Sequence, residues 1–387
     1  MQSIPIRAAR SARLPIVKRE PRRVLMTADA IGGVWTYTVE LARCLAAHGI
    51  EIAIATMGAP LSHEQSAELA LIPRIFLFKS DFKLEWMDNP WSDVERASAW
   101  LLDIKNSFHP DIVHLNGYVH AGLPWGVPVV VAAHSCVLSW WKAVRGIEAP
   151  SEWDSYRRLV RLGILAADAV IAPSRAMLAE IHRWYGRPRR GMVIPNGRDP
   201  HLFRASEKQA YVFSVGRLWD DAKNISALDA IAAELEWPVF IAGDYVSPNG
   251  GILQMSNSTM LGRLSPIHLR EWFGAAPICA LPARYEPFGL CELEAALSRC
   301  ALVLGDIASL RETWHDAALF ISPEDREGLR DVLNHLIRNP KLLNNLAQRA
   351  FDRAVGFDSD RMTNAYLDIY CALIAEREIP GELPCVS

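Results

Sequence analysis

From Arg22 onward, short runs of apolar and β-branched residues alternate with longer stretches in which apolar positions recur at helical spacing. That alternation predicts βαβ units around a parallel sheet. In the first half the runs are VLMTAD (24–29), IEIAIAT (50–56), RIFLFK (74–79), DIVHLNG (111–117), VPVVVAAH (127–134), DAVIAPS (168–174) and GMVIPNG (191–197). They are apolar nearly throughout, as strands covered on both faces should be. Helices are predicted between them over 33–48, 91–108, 152–167 and 174–186.

The pattern breaks into a polar stretch over 200–208 and then restarts. The second set of strands is YVFSVGRL (211–218), WPVFIAG (237–243), STMLGRL (258–264), PICALPA (277–283), ALVLGD (301–306) and ALFISPE (318–324), followed by helices near 325–337, 340–354 and 358–377. The expected organisation is a basic arm over 1–21, a doubly wound α/β domain over 22–205, a second over 206–357 and a last helix within 358–387. Ligands of such folds bind beyond the carboxyl ends of the strands, so the chemistry belongs to the loops that follow them.

A chain of 387 residues, 50% apolar and 22% charged, is longer than one core usually serves. Its formal charge of −3 gives no global field to attract nucleic acid. No apolar run reaches the roughly 18 residues that span a bilayer, and no apolar block precedes a small-residue cleavage site; the cytoplasm is the expected address. Seven scattered cysteines form no CxxC pair, which argues against a zinc knuckle or a disulfide framework. Locally, residues 1–23 hold Arg7, Arg10, Arg13, Lys18, Arg19, Arg22 and Arg23 against Glu20 alone, broken by prolines at 5, 15 and 21. This reads as a loosely ordered arm or as peripheral contact with an anionic membrane surface.

EPFGLCELE, from Glu286 to Glu294, is the most informative segment. Pro287 can open a helix, because the first helical position needs no amide donor. The amides of Phe288, Gly289 and Leu290 would then face outward as an anion site, with Gly289 permitting close approach. Glu294, two turns on from Glu286, can offer a carboxylate to vicinal hydroxyls such as those of a ribose. A solvated glutamate pair bordering a core helix reads the same spacing. In VGRLWDDAKN, Arg217 follows a strand and Lys223 lies near a helix start. A guanidinium and an ammonium there would stabilise a departing diphosphate without a metal, although a surface pair beside Asp220 and Asp221 is the plainer alternative.

The first loop places Gly32 and Gly33 where backbone can approach a pyrophosphate. It is not GxGxxG, and no acid closes the second strand, so a dinucleotide oxidoreductase is disfavoured. His134 ends a strand at the expected cleft and can donate a hydrogen bond to a sugar hydroxyl or serve as an ordinary half-buried histidine. Trp140 and Trp141, with Lys142 and Arg145, can form a sugar-stacking patch or interdomain packing. The DxD triplet at Asp358–Asp360 stands at a helix start and reads as capping rather than metal binding.

Taken in order, the GGV loop, APS (172–174), VIPNG (193–197), VGRL with KN, LGRLS (261–265), EPFGLCELE, GDIASLRE and ALFISPED resemble a retaining glycosyltransferase of the GT-B fold, family 4, group 1 type. The resemblance runs from about Arg22 to Ala354 and departs from the pattern at Pro277, Ala283 and Cys300. It implies two Rossmann-like domains facing a cleft and a last helix returning to the first. It implies that Glu286 and His134 meet the donor sugar, Glu294 the ribose, and Arg217, Lys223 and Gly33 the diphosphate, while Arg263 and Leu264 border the base. The nucleotide-sugar is a co-substrate and no cofactor or metal is implied; UDP-glucose is favoured over GDP-mannose, and the acceptor is open. A sugar-nucleotide epimerase, a phosphorylase and a non-catalytic nucleotide-sugar sensor are the alternatives.

Overall fold

The computed structural model describes residues 19–245 and 254–378. Most of the predicted basic arm, and residues 246–253 of the stretch between the predicted strands 237–243 and 258–264, lie outside the described residues. The first unit runs β1 (Arg23–Asp29), α1 (Gly33–Ala47), β2 (Glu51–Met57), α2 (His63–Ala70), β3 (Ile75–Lys79), α3 (Trp91–Phe108), β4 (Ile112–Leu115), β5 (Val129–Ala132), α4 (Val137–Arg145), α5 (Asp154–Ala166), β6 (Ala169–Ala172), α6 (Arg175–Tyr185) and β7 (Gly191–Val193). The second runs β8 (Val212–Val215), α7 (Ile225–Ala232), β9 (Val239–Ala242), β10 (Thr259–Gly262), α8 (Pro266–Ala275), β11 (Ile278–Leu281), α9 (Leu290–Leu297), β12 (Ala301–Gly305), α10 (Ala308–Trp314), β13 (Leu319–Ile321), α11 (Arg326–Arg338) and α12 (Pro340–Ala354). The last helix is α13 (Ser359–Glu378).

Both sheets are parallel, ordered β3-β2-β1-β4-β5-β6-β7 and β10-β9-β8-β11-β12-β13. The unbroken apolar strands have a direct cause. In β1, Val24 and Met26 enter one core with α1 and α13 residues, while Leu25 enters the other with Leu101 and Ile164. No face is left for polar positions. The strand order reverses between β1 and β4 and between β8 and β11, so each sheet has a crevice at the carboxyl ends of these central strands.

Two helices escaped the periodicity reading. The polar helix α2 is held by a capping box, in which Ser62 accepts from the Gln65 amide and Gln65 answers to the Ser62 amide. The other is α4, which carries Trp140 and Trp141 and has Cys136 at its N-cap. From the end of the second unit, α13 returns to the first and buries Tyr366, Tyr370 and Ile374 in its core. His114 is clasped there between the hydroxyls of Tyr37 and Tyr370, at 3.2 and 2.6 Å. The two passages between the units touch: the Arg198 amide donates to the Phe357 carbonyl at 3.0 Å. A side chain at Gly197 would start 2.2 Å from the Asp358 carbonyl oxygen, so only glycine permits this crossing.

Candidate active site

The loops beyond β1, β5, β8 and β11 meet in the cleft between the two sheets. Arg217, two residues past β8, reaches across to the first unit, where a Cβ added at Gly32 would lie 3.7 Å from its Nη1. Its Nη2 donates to Asp220 Oδ2 at 2.8 Å and its guanidinium lies 5.5 Å from the Trp219 ring. Asp220 in turn accepts from the Ala222 amide and from Trp140 Nε1 of the opposite unit through Oδ1, both at 3.0 Å. Trp140 is thus an interdomain donor rather than an open sugar platform, and Arg145, which pairs with Asp221 at 2.8 Å, adds a second strap.

Lys223 lies in the turn before α7 and pairs with Glu286. Burial opposes its charge, but Glu286 and then Glu292 outweigh burial and raise the ammonium above its ordinary value. Arg217 and Lys223 therefore present two positive groups on one side of the cleft, the arginine half-exposed and the lysine tucked behind it.

The chain through EPFGL differs from the sequence expectation. Pro287 does not begin the helix: Gly289 is the N-cap, at φ 94°, and α9 starts at Leu290. A left-handed cap is the conformation that glycine alone adopts without strain. The Phe288 side chain is buried against Phe357 with ring centroids 5.6 Å apart, so it braces the turn from within the core rather than lining the cleft. No side chain caps α9 with a hydrogen bond, and the Leu293 amide is bonded to Gly289 O. The start of α9 faces the start of α1, with Leu290 Cδ1 3.8 Å from the Cβ position of Gly33. Two helix N-termini, whose first amides carry partial positive charge, so converge on one spot.

Glu292 was not anticipated. Its carboxyl folds back over Gly289, where an added Cβ would meet Oε2 at 2.6 Å. The side chain is buried and neither oxygen has a hydrogen-bond partner. Burial, then the neighbouring Glu286 charge, push it up to about 8. Its folded value lies above its ordinary 4.5, so the carboxyl contributes fully to stability below pH 4.5 and that contribution is lost as pH rises through about 8. Glu292→Gln is expected to leave Tm unchanged near pH 4.5 and to raise it by about 2–4 °C at pH 8, the response to roughly 1 kcal/mol. A Tm gain equal at both pH values would show that Glu292 is not titrating in this window.

His134 follows β5 and accepts no proton near neutrality, because burial lowers its imidazole to about 4. Asn116 Nδ2 donates to Thr27 O and Thr38 Oγ1, which orients the Asn116 oxygen toward His134 Nε2 at 2.9 Å. The His134 Nε2–H is thereby committed to Asn116, and Nδ1 is left as an acceptor. The sequence expectation of a hydrogen-bond donor at His134 is therefore not met by Nε2, whose proton is taken by Asn116. Arg263 is exposed just past β10 and Leu264 packs half-buried against the second core; neither touches the Arg217–Lys223 cluster in any contact among the described residues. Asp358, at the DxD triplet, accepts from the Arg361 amide at 2.6 Å as a helix cap.

Three further groups were missed. Asp29, at the end of β1, accepts from the Ile31 amide at 2.7 Å, and burial raises its carboxyl to about 7. Glu85 accepts from the Tyr118 amide at 2.8 Å and burial raises it likewise to about 7. Both lie at the β1/β4 crevice, Glu85 3.1 Å from the Cβ position of Gly117. The position of Asp29 at a strand end was a usable signal; Glu85, within a loop, offered none. Arg198, which directly follows the VIPNG run, holds Glu294 by an ion pair of 2.9 Å, a contact no local sequence signal reveals.

Residues 31–202 match the model described as Glycosyltransferase Family 4, and residues 201–353 the one described as Glycosyl transferases group 1. The chain is 27% identical to the D-inositol 3-phosphate glycosyltransferase of Frankia alni, over 86% of this chain and 92% of that protein. It is also 27% identical to the glycogen synthase of Mycobacterium tuberculosis, over 92% and 95%. Among solved structures, sucrose-phosphate synthase from Thermosynechococcus elongatus superposes with a TM-score of 0.77 at 18% identity, covering 92% of this chain and all of that one. Anabaena HepE in complex with UDP-glucose gives 0.73 at 17%, covering 91% and 100%. With both halves matched in order on a GT-B frame of two parallel sheets, the chain belongs to glycosyltransferase family 4, group 1 type, and is a glycosyltransferase.

Proposed function

We propose that the protein is a retaining, metal-independent hexosyltransferase that takes its sugar from UDP-glucose, with GDP-mannose the second choice of donor, and passes it to a hydroxyl of a saccharide, lipid-linked or small-molecule acceptor. The observation that carries this reading is the convergence of Arg217, Lys223 and the N-termini of α1 and α9 on one spot of the cleft. Four sources of positive charge aimed at one place suit a diphosphate, whose charge grows as the glycosidic bond breaks. These two cations take the part that a divalent ion plays in metal-dependent transferases. The UDP-glucose named in the HepE complex favours that donor.

In this reading the diphosphate draws Lys223 from Glu286, and Glu286 then receives a donor-sugar hydroxyl. Phe288, Gly289 and Leu290 contribute backbone, Gly32 and Gly33 approach from the first unit, and Arg263 and Leu264 border the base. The C1–O bond to the diphosphate breaks, the acceptor oxygen bonds to C1 on the same face, and the acceptor proton passes to the departing phosphate oxygen. The protein's own work is positioning and charge stabilisation.

Asp29 and Glu85 support a hydroxylic acceptor. Carboxyls held near neutrality can both donate to and accept from hydroxyls, and they disfavour a phosphorylated group beside them. Asp29→Asn and Glu85→Gln are expected to raise the acceptor KM about tenfold, the loss of one hydrogen bond, while the donor KM stays within twofold. An equal change in both KM values would remove the pair from the acceptor site. Consumption of donor to a new sugar nucleotide without acceptor, or dependence on free phosphate, would favour an epimerase or a phosphorylase instead; tight donor binding without turnover would favour a sensor. The proposed location is the cytoplasm, where the basic residues ahead of β1 would suit contact with an anionic membrane surface.

A further inference from the structure

Where the two interdomain passages touch, Arg198 carries an ion pair to each unit. Its Nη1 donates to Glu40 Oε2 of α1 in the first unit, and its Nε lies 2.9 Å from Glu294 Oε1 of α9 in the second. The guanidinium lies 5.4 Å from the Phe203 ring. The three side chains are 12%, 1% and 8% exposed, so solvent screens them little. The backbone of Arg198 is itself pinned by its bridge to Asp358.

Elementary electrostatics makes this trio asymmetric. One positive group serves two buried carboxylates, and removing it leaves like charges facing each other without compensation. Pairing is also incomplete: Arg198 Nε–H makes no aligned hydrogen bond and Glu40 Oε1 has none, although Arg43 lies 3.6 Å from it. Glu294 therefore has its place set by a group outside the donor pocket, held from the hinge and balanced against the opposite domain. Burial raises the Glu294 carboxyl, and the Arg198 charge is the largest influence opposing that rise.

We infer that Arg198 is a positioning residue for nucleotide recognition: by holding Glu294 between the two units and against Glu40, it sets the enzyme's preference for a donor with intact ribose hydroxyls. This rests on the reading of Glu294 as the ribose ligand. Arg198 touches no donor atom itself and acts through Glu294. Nothing in the donor motifs points to it, and the other residue it holds, Glu40, belongs to the opposite domain.

The test compares kcat and KM for UDP-glucose and 2′-deoxy-UDP-glucose in the wild type, Arg198→Met, Arg198→Lys and the double variant Arg198→Met with Glu40→Gln. The double variant removes the stranded Glu40 charge, so it serves where the single one folds poorly. The wild type should prefer the ribose donor about tenfold or more, as for a hydrogen bond to a charged acceptor. In Arg198→Met and in the double variant that ratio should fall to about 1, through KM rather than kcat, with Arg198→Lys restoring part of it. Equal losses for both donors, or an unchanged ratio in a folded variant, would overturn the inference while leaving Glu294 as the ribose ligand. A wild type that does not distinguish the two donors, yet transfers from UDP-glucose, would overturn the ribose assignment and this inference with it, but not the transferase reading.

Discussion

Replacing Lys223 by alanine is expected to lower sugar transfer about 10²–10³-fold, the usual cost of removing one group aimed at developing charge. The lysine is the only cation paired with Glu286 among the described contacts, and it lies behind the half-exposed Arg217 at the place where both helix N-termini point. The effect should fall on kcat more than on donor KM, because the diphosphate carries more charge when the bond is breaking than when it is bound. Stability should change less. Without Lys223, the buried Glu292 carboxyl lies beside Glu286 with no cation to offset it, so the variant should lose more Tm at pH 8 than at pH 5, where Glu292 is held protonated. Steady-state kinetics with melting curves at the two pH values separate these effects. A variant with full turnover would remove Lys223 from the site.

Glu286→Gln is expected to cost about 10²-fold in kcat/KM, and for a different reason. The carboxylate is assigned to a donor-sugar hydroxyl, and its exchange for an amide replaces a charged hydrogen bond with a neutral one at the moment of reaction. It also removes the counter-charge of a buried ammonium, leaving Glu292 to compensate Lys223. The loss should shrink for a deoxy-sugar donor that lacks the hydroxyl in question. An equal loss across the deoxy series would mean that Glu286 acts only by holding Lys223.

Much of this architecture was legible along the chain because parallel strands buried on both faces leave an unmistakable record. Val24, Leu25 and Met26 are all apolar since the sheet has a core on either side. The polar helix α2 left no such record; its stability rests on the Ser62–Gln65 capping box and on neighbours, not on an apolar stripe. The strand ends and glycine turns that carry Arg217, Gly33 and Glu286 were readable one at a time. What was not readable was their pairing. The Lys223–Glu286 contact joins residues 63 apart, and Arg198–Glu40 joins residues 158 apart. The role of Glu292 depends on the left-handed Gly289 cap, which turns an ordinary first-turn acid into a buried one. His134 shows the same limit: its donor nitrogen is taken by Asn116, whose orientation is set in turn by Thr27 and Thr38.

The most direct test of the central claim is a thermal-shift titration of UDP-glucose, with GDP- and ADP-sugars beside it, in EDTA throughout, on the wild type and on Arg217→Ala with Lys223→Ala. At a hundred times its Kd a ligand stabilises by about 2.7 kcal/mol, enough to move Tm by several degrees. A UDP-glucose shift in the wild type that survives EDTA and vanishes in the double variant is the expected result. No shift with any nucleotide-sugar, a shift abolished by EDTA, or one that persists unchanged without Arg217 and Lys223 would contradict the account.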